Sequence, residues 1–292
     1  MAKCECWEVS DAFWEKVEPL LPLPQRDPTK HYRRQPGGGR KPLPPRQVFA
    51  GIVYVLRTGI QWNALPKERF GSPKAIHRYF CSWSEQGVFL ALWKAGLAEY
   101  DAMEGIAWEW QSVDGAMMKA PLALEAVGPN PTDRGKKRGS KRHLQVDGRG
   151  VPLSLVVTGA NRNDVSELAH LLEARVVDPS VGERGEVSAQ NLCADAGYAG
   201  KPALTTIVDQ GYVPHVRSRY EEEIDRQKYP DYRPRRWVVE VCHSWFNRFR
   251  KLLVRYEKTL QSFLALHHLA AAIIALRQTA PLYGPYRRQQ PP

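Results

Sequence analysis

The sequence has few cysteines, no long apolar run and fewer acidic than basic residues. Its five cysteines are odd in number and scattered, so no disulfide framework is expected, and Cys4 and Cys6 lack a second pair at metal-ligand spacing. No run of about 18 apolar residues and no signal-peptide pattern are visible, which predicts a cytoplasmic protein that does not span a membrane. No internal repeat is visible either.

The composition instead favours a basic globular protein. The chain has 292 residues, a hydrophobic fraction of 43%, a formal net charge of +11 and a pI near 9.5. This length accommodates two domains with a substantial core. Because positive potential attracts phosphate backbones and releases their counterions, nucleic acid is the first partner expected and an anionic membrane surface the second.

Residues 1–100 are predicted to form a helical DNA-binding domain. Ser10 is a plausible N-cap for a helix from Asp11 to about Leu21. The Pro, Gly and Arg-rich stretch "PLPQRDPTKHYRRQPGGGRKPLPP" (22–45) follows as a basic arm that contains Arg40 and Lys41. We expect these two basic side chains to contact DNA.

A pair of helices follows the arm, over 46–59 and 72–97. Ser72 followed by Pro73 is typical of an N-cap with proline at the first helical position. In a helix-turn-helix the N-terminal end of the second helix enters the major groove. The candidates to contact DNA there are Lys74, His77 and Arg78. Helical pairs occur in folds of every kind, so a purely structural pair is the alternative.

Residues 101–292 are predicted to form a mixed α/β domain, a sheet flanked by helices. Alternating and turn-rich stretches predict strands, and longer stretches with a 3.6-residue period predict helices. The predicted strands are 108–120, 142–150, 151–160, 191–195 and 212–216, and the predicted helices are 163–175, 201–210, 235–258 and 262–278.

Two predicted strands carry an aspartate where the strand ends, Asp114 in "SVDGA" and Asp195 in "CADAG". A glutamate on a later helix, Glu240, could reach the same edge of the sheet. Three converging carboxylates would repel one another unless divalent cations neutralised them, and two-metal phosphoryl transfer uses such a cluster. The alternatives are turn residues for the aspartates and a solvated residue at a helix N-terminus for Glu240.

Other polar residues near the predicted sheet have weaker interpretations. Asp147 is predicted to be a turn residue and Asp164 a helix-start residue, with an outer-shell metal role as the alternative for each. The basic run "DRGKKRGSKR" (133–142) is either a solvated charge run or a phosphate contact. We predict phosphate contacts from Arg134, Lys136, Lys137, Arg138, Lys141 and Arg142.

Several stretches together resemble the DDE transposases of bacterial insertion sequences, specifically the insertion-sequence-five family. The matching stretches are "GGGRKPLPPRQVFAGIVYVLRTGIQWNALP", "SVDGAMMKA", "PTDRGKKRGSKRHLQVDGRGVPLSLVVTGANRNDVS", "ADAGYAGK" and "RRWVVEVCHSWFNRFRKLLVRYEK". The resemblance implies a ribonuclease-H-like catalytic domain whose triad is Asp114, Asp195 and Glu240. It also implies two Mg²⁺ ions as cofactors, with Mn²⁺ as a substitute.

The sequence departs from this family around the third acid. Related families carry a Tyr, Arg, Glu and Lys signature there. Arg236 has the expected spacing, whereas Tyr232 is one place off the usual gap and Asn247 stands where the signature has Lys. We expect Arg248 or Lys251 to take the place of that Lys in holding DNA, with Arg236 and Asn247 as further contacts.

The function that the resemblance implies is a DNA transposase. It would bind the terminal inverted repeats of an insertion sequence, hydrolyse phosphodiester bonds at the element ends and join the 3′-OH ends to target DNA. Its partners would be double-stranded DNA and further copies of itself, as a homodimer or higher oligomer, and it would be nucleoid-associated in a bacterial cytoplasm. The alternatives are a metal-dependent nuclease of the same fold and a non-catalytic transposase-derived DNA-binding protein.

Overall fold

The computed structural model describes residues 7–22, 29, 31, 41–179, 190–216, 219–228 and 235–279. Several residues from the sequence analysis lie outside these ranges. They are Cys4, Cys6, most of the predicted arm including Arg40, and Tyr232.

The N-terminal part of the chain is helical, as predicted. Ser10 caps the first helix by accepting a hydrogen bond from the backbone N–H of Phe13 at 3.2 Å. Ser72 occupies the N-cap position before Pro73, but its side chain makes no capping hydrogen bond. The helices are α1 (Asp11–Val17), α2 (Pro45–Thr58), α3 (Lys67–Phe70), α4 (Pro73–Glu85) and α5 (Val88–Glu104).

The segment 72–97, predicted as one helix, forms two helices that are separated at Gly87. This glycine has φ of 72°, a left-handed conformation that side chains disfavour, and it separates α4 from α5. The bend before α4 also contains more structure than predicted, a 3₁₀ turn over Trp62–Ala64 followed by α3.

A mixed β-sheet follows, and this confirms the predicted fold class. β3 lies between β1 and β4 and is antiparallel to both, whereas β1, β5 and β6 are parallel neighbours. The two-residue β2 pairs with the start of β3. The strands are β1 (Trp110–Lys119), β2 (Gly128–Pro129), β3 (Arg138–Val146), β4 (Pro152–Gly159), β5 (Gln190–Ala194) and β6 (Tyr212–Val216).

Helices cover both faces of this sheet. One face packs against α6 and α7 through a small apolar cluster that includes Val113, Leu168 and Ile207. The other face packs against α9 and α10 in a larger core that continues into α1, α2, α4 and α5. The helices of this part are α6 (Asp164–Glu173), α7 (Lys201–Asp209), α8 (Arg219–Lys228), α9 (Trp237–Asn247) and α10 (Leu260–Gln278).

The core therefore crosses the domain boundary that we predicted near residue 100. Helix α10 packs along α5, and both contribute buried side chains to one cluster. Within the described residues, α10 is the one helix long and apolar enough by length and composition to cross a membrane. Because 67% of its most apolar window is buried inside the fold, its apolarity is accounted for by core packing.

The predicted helix 235–258 is wrong in its second half. Helix α9 ends at Asn247, Phe249 is extended with φ of −89° and ψ of 92°, and a 3₁₀ turn covers Arg250–Leu252. Tertiary contacts explain the break, since the Arg57 guanidinium lies 4.0 Å from the centre of the Phe249 ring. The sequence contains no proline or glycine there that would have predicted this end.

Candidate active site

The strand register brings Asp114 and Asp195 to the same level of the sheet. β1 and β5 are parallel, with Ser112 opposite Cys193. Two residues further on, the first strand carries Asp114 and the second has just ended at Asp195. The Asp195 side chain accepts a hydrogen bond from the backbone N–H of Gly197 at 2.9 Å, which fixes it at the start of a 3₁₀ turn.

Glu240 lies in the first turn of α9, which packs against β1 and β3. Its side chain is 51% exposed, and Oε1 accepts a hydrogen bond from Arg236 Nη1 at 2.6 Å. Ser244 and Asn247, four and seven positions further along the chain, are exposed as well. Glu240 is therefore a surface carboxylate held by the arginine at the N-cap position of α9.

The charges of nearby acids act on Asp114. Partial burial raises the pKa of Asp114 to about 6, against the opposing effect of the Gly115 backbone N–H, and the charges of Asp195, Asp164 and Glu240 raise it further. Within the described residues, however, no three His, Cys, Asp or Glu side chains are already arranged to hold a metal ion. The acids thus share one region without forming a finished set of ligands.

Asp164 is a fourth acid in this region. It starts α6, as predicted, and its carboxylate lies 3.1 Å from Lys141 Nζ and 3.2 Å from His143 Nδ1. Burial raises the pKa of Asp164, but His143 and Lys141 together outweigh burial and leave this pKa below its usual value. Lys141 is buried, so the prediction that it contacts DNA phosphate is wrong. Its ammonium group instead forms an ion pair with Asp164.

Gly115 lies beneath this cluster, and we expect Gly115→Ala to destabilise the protein. An added Cβ would overlap Asp164 Oδ1 and lie 3.1 Å from Lys141 Cδ, so Asp164 would move away from Lys141 and His143. Losing buried polar contacts costs about 1–3 kcal/mol, measurable by urea unfolding. The control is Asp164→Ala, since adding Gly115→Ala to that variant should cost little more. If the two substitutions lowered the free energy of unfolding additively, the loss in Gly115→Ala would not arise from displacement of Asp164.

Arg142 is also in the interior, so the prediction that it contacts DNA phosphate is wrong as well. It lies on the opposite face of β3 from Lys141, is 1% exposed and stacks 4.7 Å above the Phe246 ring. Burial lowers the pKa of Arg142 to about 10. Its Nε and Nη2 lie 3.3 and 3.1 Å from His243 Nδ1. Burial and then Arg142 lower the pKa of His243, to about 3.

Lys251 is the third predicted DNA contact that the structure buries. Because α9 ends at Asn247, the chain turns Lys251 inward, where Nζ lies 3.1 Å from Glu257 Oε1 and both side chains are 5% exposed. A phosphate backbone cannot reach this ammonium. The prediction that Lys251 replaces the signature lysine is therefore wrong.

The remaining candidates for DNA contact among the described residues, apart from Arg236, are on the surface. Arg236 is partly buried and holds Glu240, whereas His77 packs one side of its ring on Trp62, 4.9 Å between centroids. The exposed candidates are Lys41, Lys74, His77, Arg78, Arg134, Lys136, Lys137, Arg138, Asn247 and Arg248. Their role in DNA binding stays a prediction.

Two residues near the acids were missed in the sequence, His143 and His243. The signal for His243 was its spacing, because positions three apart on a helix are neighbours and Glu240 precedes it by three.

Asp147 is the predicted turn residue. Its buried carboxylate accepts hydrogen bonds from Tyr100 and from backbone N–H groups, including that of Val151 at 2.8 Å.

Two family models match separate parts of the chain. Residues 111–275 match the family described as "Transposase DDE domain". Residues 9–93 match the family described as "Putative transposase of IS4/5 family". The two matched ranges lie on either side of the predicted domain boundary, and the first contains Asp114, Asp195 and Glu240.

Two relatives from Burkholderia cepacia are similar in sequence. The "Putative transposase for insertion sequence element IS402" is 38% identical over 135 residues, which are 45% of this chain and 60% of that protein. The "Insertion element IS402 uncharacterized 16.2 kDa protein" is 33% identical over 124 residues, 42% of this chain and 80% of that protein. The chain thus spans less than two thirds of the first relative.

Solved structures of the Mos1 mariner transposase are among the structural matches. Its catalytic domain aligns with a TM-score of 0.27 and 8% identity, over 65% of this chain and 91% of that one. A pre-cleavage Mos1 transpososome aligns with a TM-score of 0.28 and 9% identity, over 87% and 83%. TM-scores this low support no conclusion about this chain.

Proposed function

Because this chain belongs to the transposase DDE domain family, we propose that it is the transposase of a bacterial insertion sequence, of the insertion-sequence-five family. In this proposal it binds the terminal inverted repeats, hydrolyses a phosphodiester at each element end and joins the freed 3′-OH to target DNA. It acts on DNA in the cytoplasm, associated with the nucleoid.

One observation carries the proposal. Asp114 and Asp195 lie at the same level of neighbouring parallel strands, and the charges of Asp195 and Glu240 raise the pKa of Asp114. Carboxylates whose charges act on one another in this way are stabilised when cations neutralise them. The family implies the use of divalent metal, and we assign Mg²⁺ or Mn²⁺ to these three side chains.

The donor chemistry fits such ions, because carboxylate oxygens are their preferred ligands. Arg236 holds Oε1 of Glu240 at 2.6 Å, which leaves Oε2 as the oxygen that would bind metal. Two bound cations would activate an attacking oxygen and stabilise a leaving oxygen. A water oxygen attacks the phosphorus, the bond to the 3′-oxygen breaks, and that oxygen leaves as the 3′-OH. In strand transfer this 3′-OH attacks a target phosphorus and displaces another 3′-oxygen.

The exposed basic residues supply two kinds of DNA contact in this proposal. Lys74 and Arg78 lie on the first turns of α4, where side chains can reach base edges in a major groove. The loop before β3 exposes Lys136 and Lys137, which suit sequence-independent phosphate contacts. Since two ends must be joined to one target, the active form is a dimer or a higher oligomer.

Strand cleavage of a duplex that carries the terminal repeat tests this proposal. With Mg²⁺ or Mn²⁺ we expect a nick at the repeat boundary and, with added target DNA, a covalently joined product. With Ca²⁺, which takes more ligands at longer distances, we expect the DNA complex without cleavage. Nicking without joining would identify a nuclease of the same fold, and binding without nicking would identify a non-catalytic DNA-binding protein.

A further inference from the structure

We propose that Arg142 and His243 form a buried positioning pair that orients the Asp114 carboxylate for metal binding. The inference rests on the proposed function, because it assumes that Asp114 is a metal ligand. It goes beyond that function by giving a role to two side chains outside the acid triad. Neither is a catalytic residue, since both act through Asp114.

The contacts within the pair define the first step. Arg142 Nε and Nη2 both point at His243 Nδ1, at 3.3 and 3.1 Å. A guanidinium has five N–H donors and no acceptor. His243 Nδ1 must therefore accept these bonds with its lone pair.

The tautomer of the His243 ring follows from the hydrogen bonds that Nδ1 accepts. An imidazole whose Nδ1 accepts a hydrogen bond is neutral and carries its single proton on Nε2. The arginine thus fixes the tautomer of His243 and turns Nε2 into a donor. Burial makes the arrangement rigid, since Arg142 is 1% exposed and His243 is 7% exposed.

The donor faces Asp114. His243 Nε2 lies 3.9 Å from Asp114 Oδ2, beyond hydrogen-bond length but within reach of a small rotation of the carboxylate. The Asp114 side chain is 33% exposed and has room to turn. A hydrogen bond from Nε2 to Oδ2 would fix the carboxylate and leave its other oxygen as a ligand. Outer-shell partners of this kind tune metal affinity.

The pair also connects the elements that carry two of the acids. His243 follows Glu240 by three positions on α9, and Arg142 lies on β3, beside the strand of Asp114. The stacking of Arg142 on Phe246 holds α9 against β3. Through these contacts with His243 and Phe246, Arg142 joins α9, which carries Glu240, to β3, which pairs with the strand of Asp114.

Two substitutions of His243 separate this role from a structural one. His243→Asn retains an oxygen that can accept from Arg142 but is too short to donate to Asp114. His243→Gln places an amide N–H where Nε2 was. Mn²⁺ binding to the full chain is titrated by electron paramagnetic resonance, and thermal unfolding is measured for each variant. Asp114→Asn is the reference for loss of the metal site.

We expect His243→Asn to weaken Mn²⁺ binding by about 10–100-fold with little change in the melting temperature, and His243→Gln to restore most of it. Equal Mn²⁺ binding by His243→Asn and wild type would overturn the positioning role. If His243→Asn does not unfold cooperatively, Arg142→Lys replaces it, because lysine lacks the two-nitrogen contact. Wild-type affinity in Arg142→Lys would overturn the inference too. If Asp114→Asn binds Mn²⁺ as wild type does, the assigned metal site itself fails.

Discussion

Glu240→Gln should reduce nicking of the terminal-repeat duplex by at least about 10³-fold, the equivalent of about 4 kcal/mol of lost transition-state stabilisation. The amide is a poor metal ligand but keeps an oxygen that can accept the hydrogen bond from Arg236. Because the ion pair that it replaces is half-exposed, stability should change by less than about 1 kcal/mol. Asp114→Asn and Asp195→Asn should have the same effect on nicking.

DNA binding should survive these substitutions, since basic groups contribute most of the affinity. A gel shift with the terminal repeat in Ca²⁺ measures binding, and strand nicking in Mg²⁺ measures cleavage. Glu104→Gln, at an exposed position on α5, is the matched control and should behave as wild type. Nicking at the wild-type rate by Glu240→Gln would mean that Glu240 is a solvated helix-start residue, as its exposure alone suggests.

Lys251→Met should lower the free energy of unfolding by about 3–5 kcal/mol. The substitution leaves the Glu257 carboxylate buried without its closest cation, which lies 3.1 Å away in the native protein. Arg255 is close enough for its charge to offset part of this loss, and we therefore expect the lower end of the range. Removing both charges in Lys251→Met/Glu257→Leu should recover most of the stability, because buried ion pairs are often replaceable by apolar groups.

Urea unfolding of the two single variants and the double variant measures this coupling. A DNA contact would give a different result. Removing a phosphate-binding lysine weakens binding to all sequences and lowers the salt dependence by about one ion, with little effect on folding. Unchanged stability in Lys251→Met, together with reduced salt dependence, would contradict the buried position of Lys251 and restore the original prediction.

Five of the six strands in the described residues were predictable, because alternation or a short apolar run next to turn residues marks each of them. The two-residue β2 and helix α8 were not predicted. Asp195 stood out because it falls where a strand meets a turn, and β5 does end at Ala194. Asp114 was also predicted at the end of a strand, but it lies inside β1, opposite Leu144 of β3. Their closeness did not follow from spacing. It depends on the pairing of β1 with β5, which joins segments far apart in the sequence.

The wrong predictions of DNA contacts and of the helix end share a physical cause. Tertiary packing buries residues whose burial cannot be read from the neighbouring sequence. The basic run 133–142 looks uniform, but β3 begins at Arg138 and both of its faces are covered. Its loop half stays exposed, whereas Lys141 and Arg142 face opposite helical layers. Likewise, the apolar residues continue to recur with a 3.6-residue period past Asn247, although the helical backbone ends there. Tertiary contacts override a local propensity in both cases.

The packing of α10 along α5 has a consequence for synthesis. These helices come from distant parts of the chain, so the contact between them is of high sequence separation and slow to form. A ribosome adds roughly 5–20 residues per second, and α5 therefore waits many seconds for its partner to emerge. Until then the apolar side of the N-terminal helices is open to chaperones and proteases. Nascent chains stalled before α10 should be degraded rather than accumulate as DNA-binding fragments.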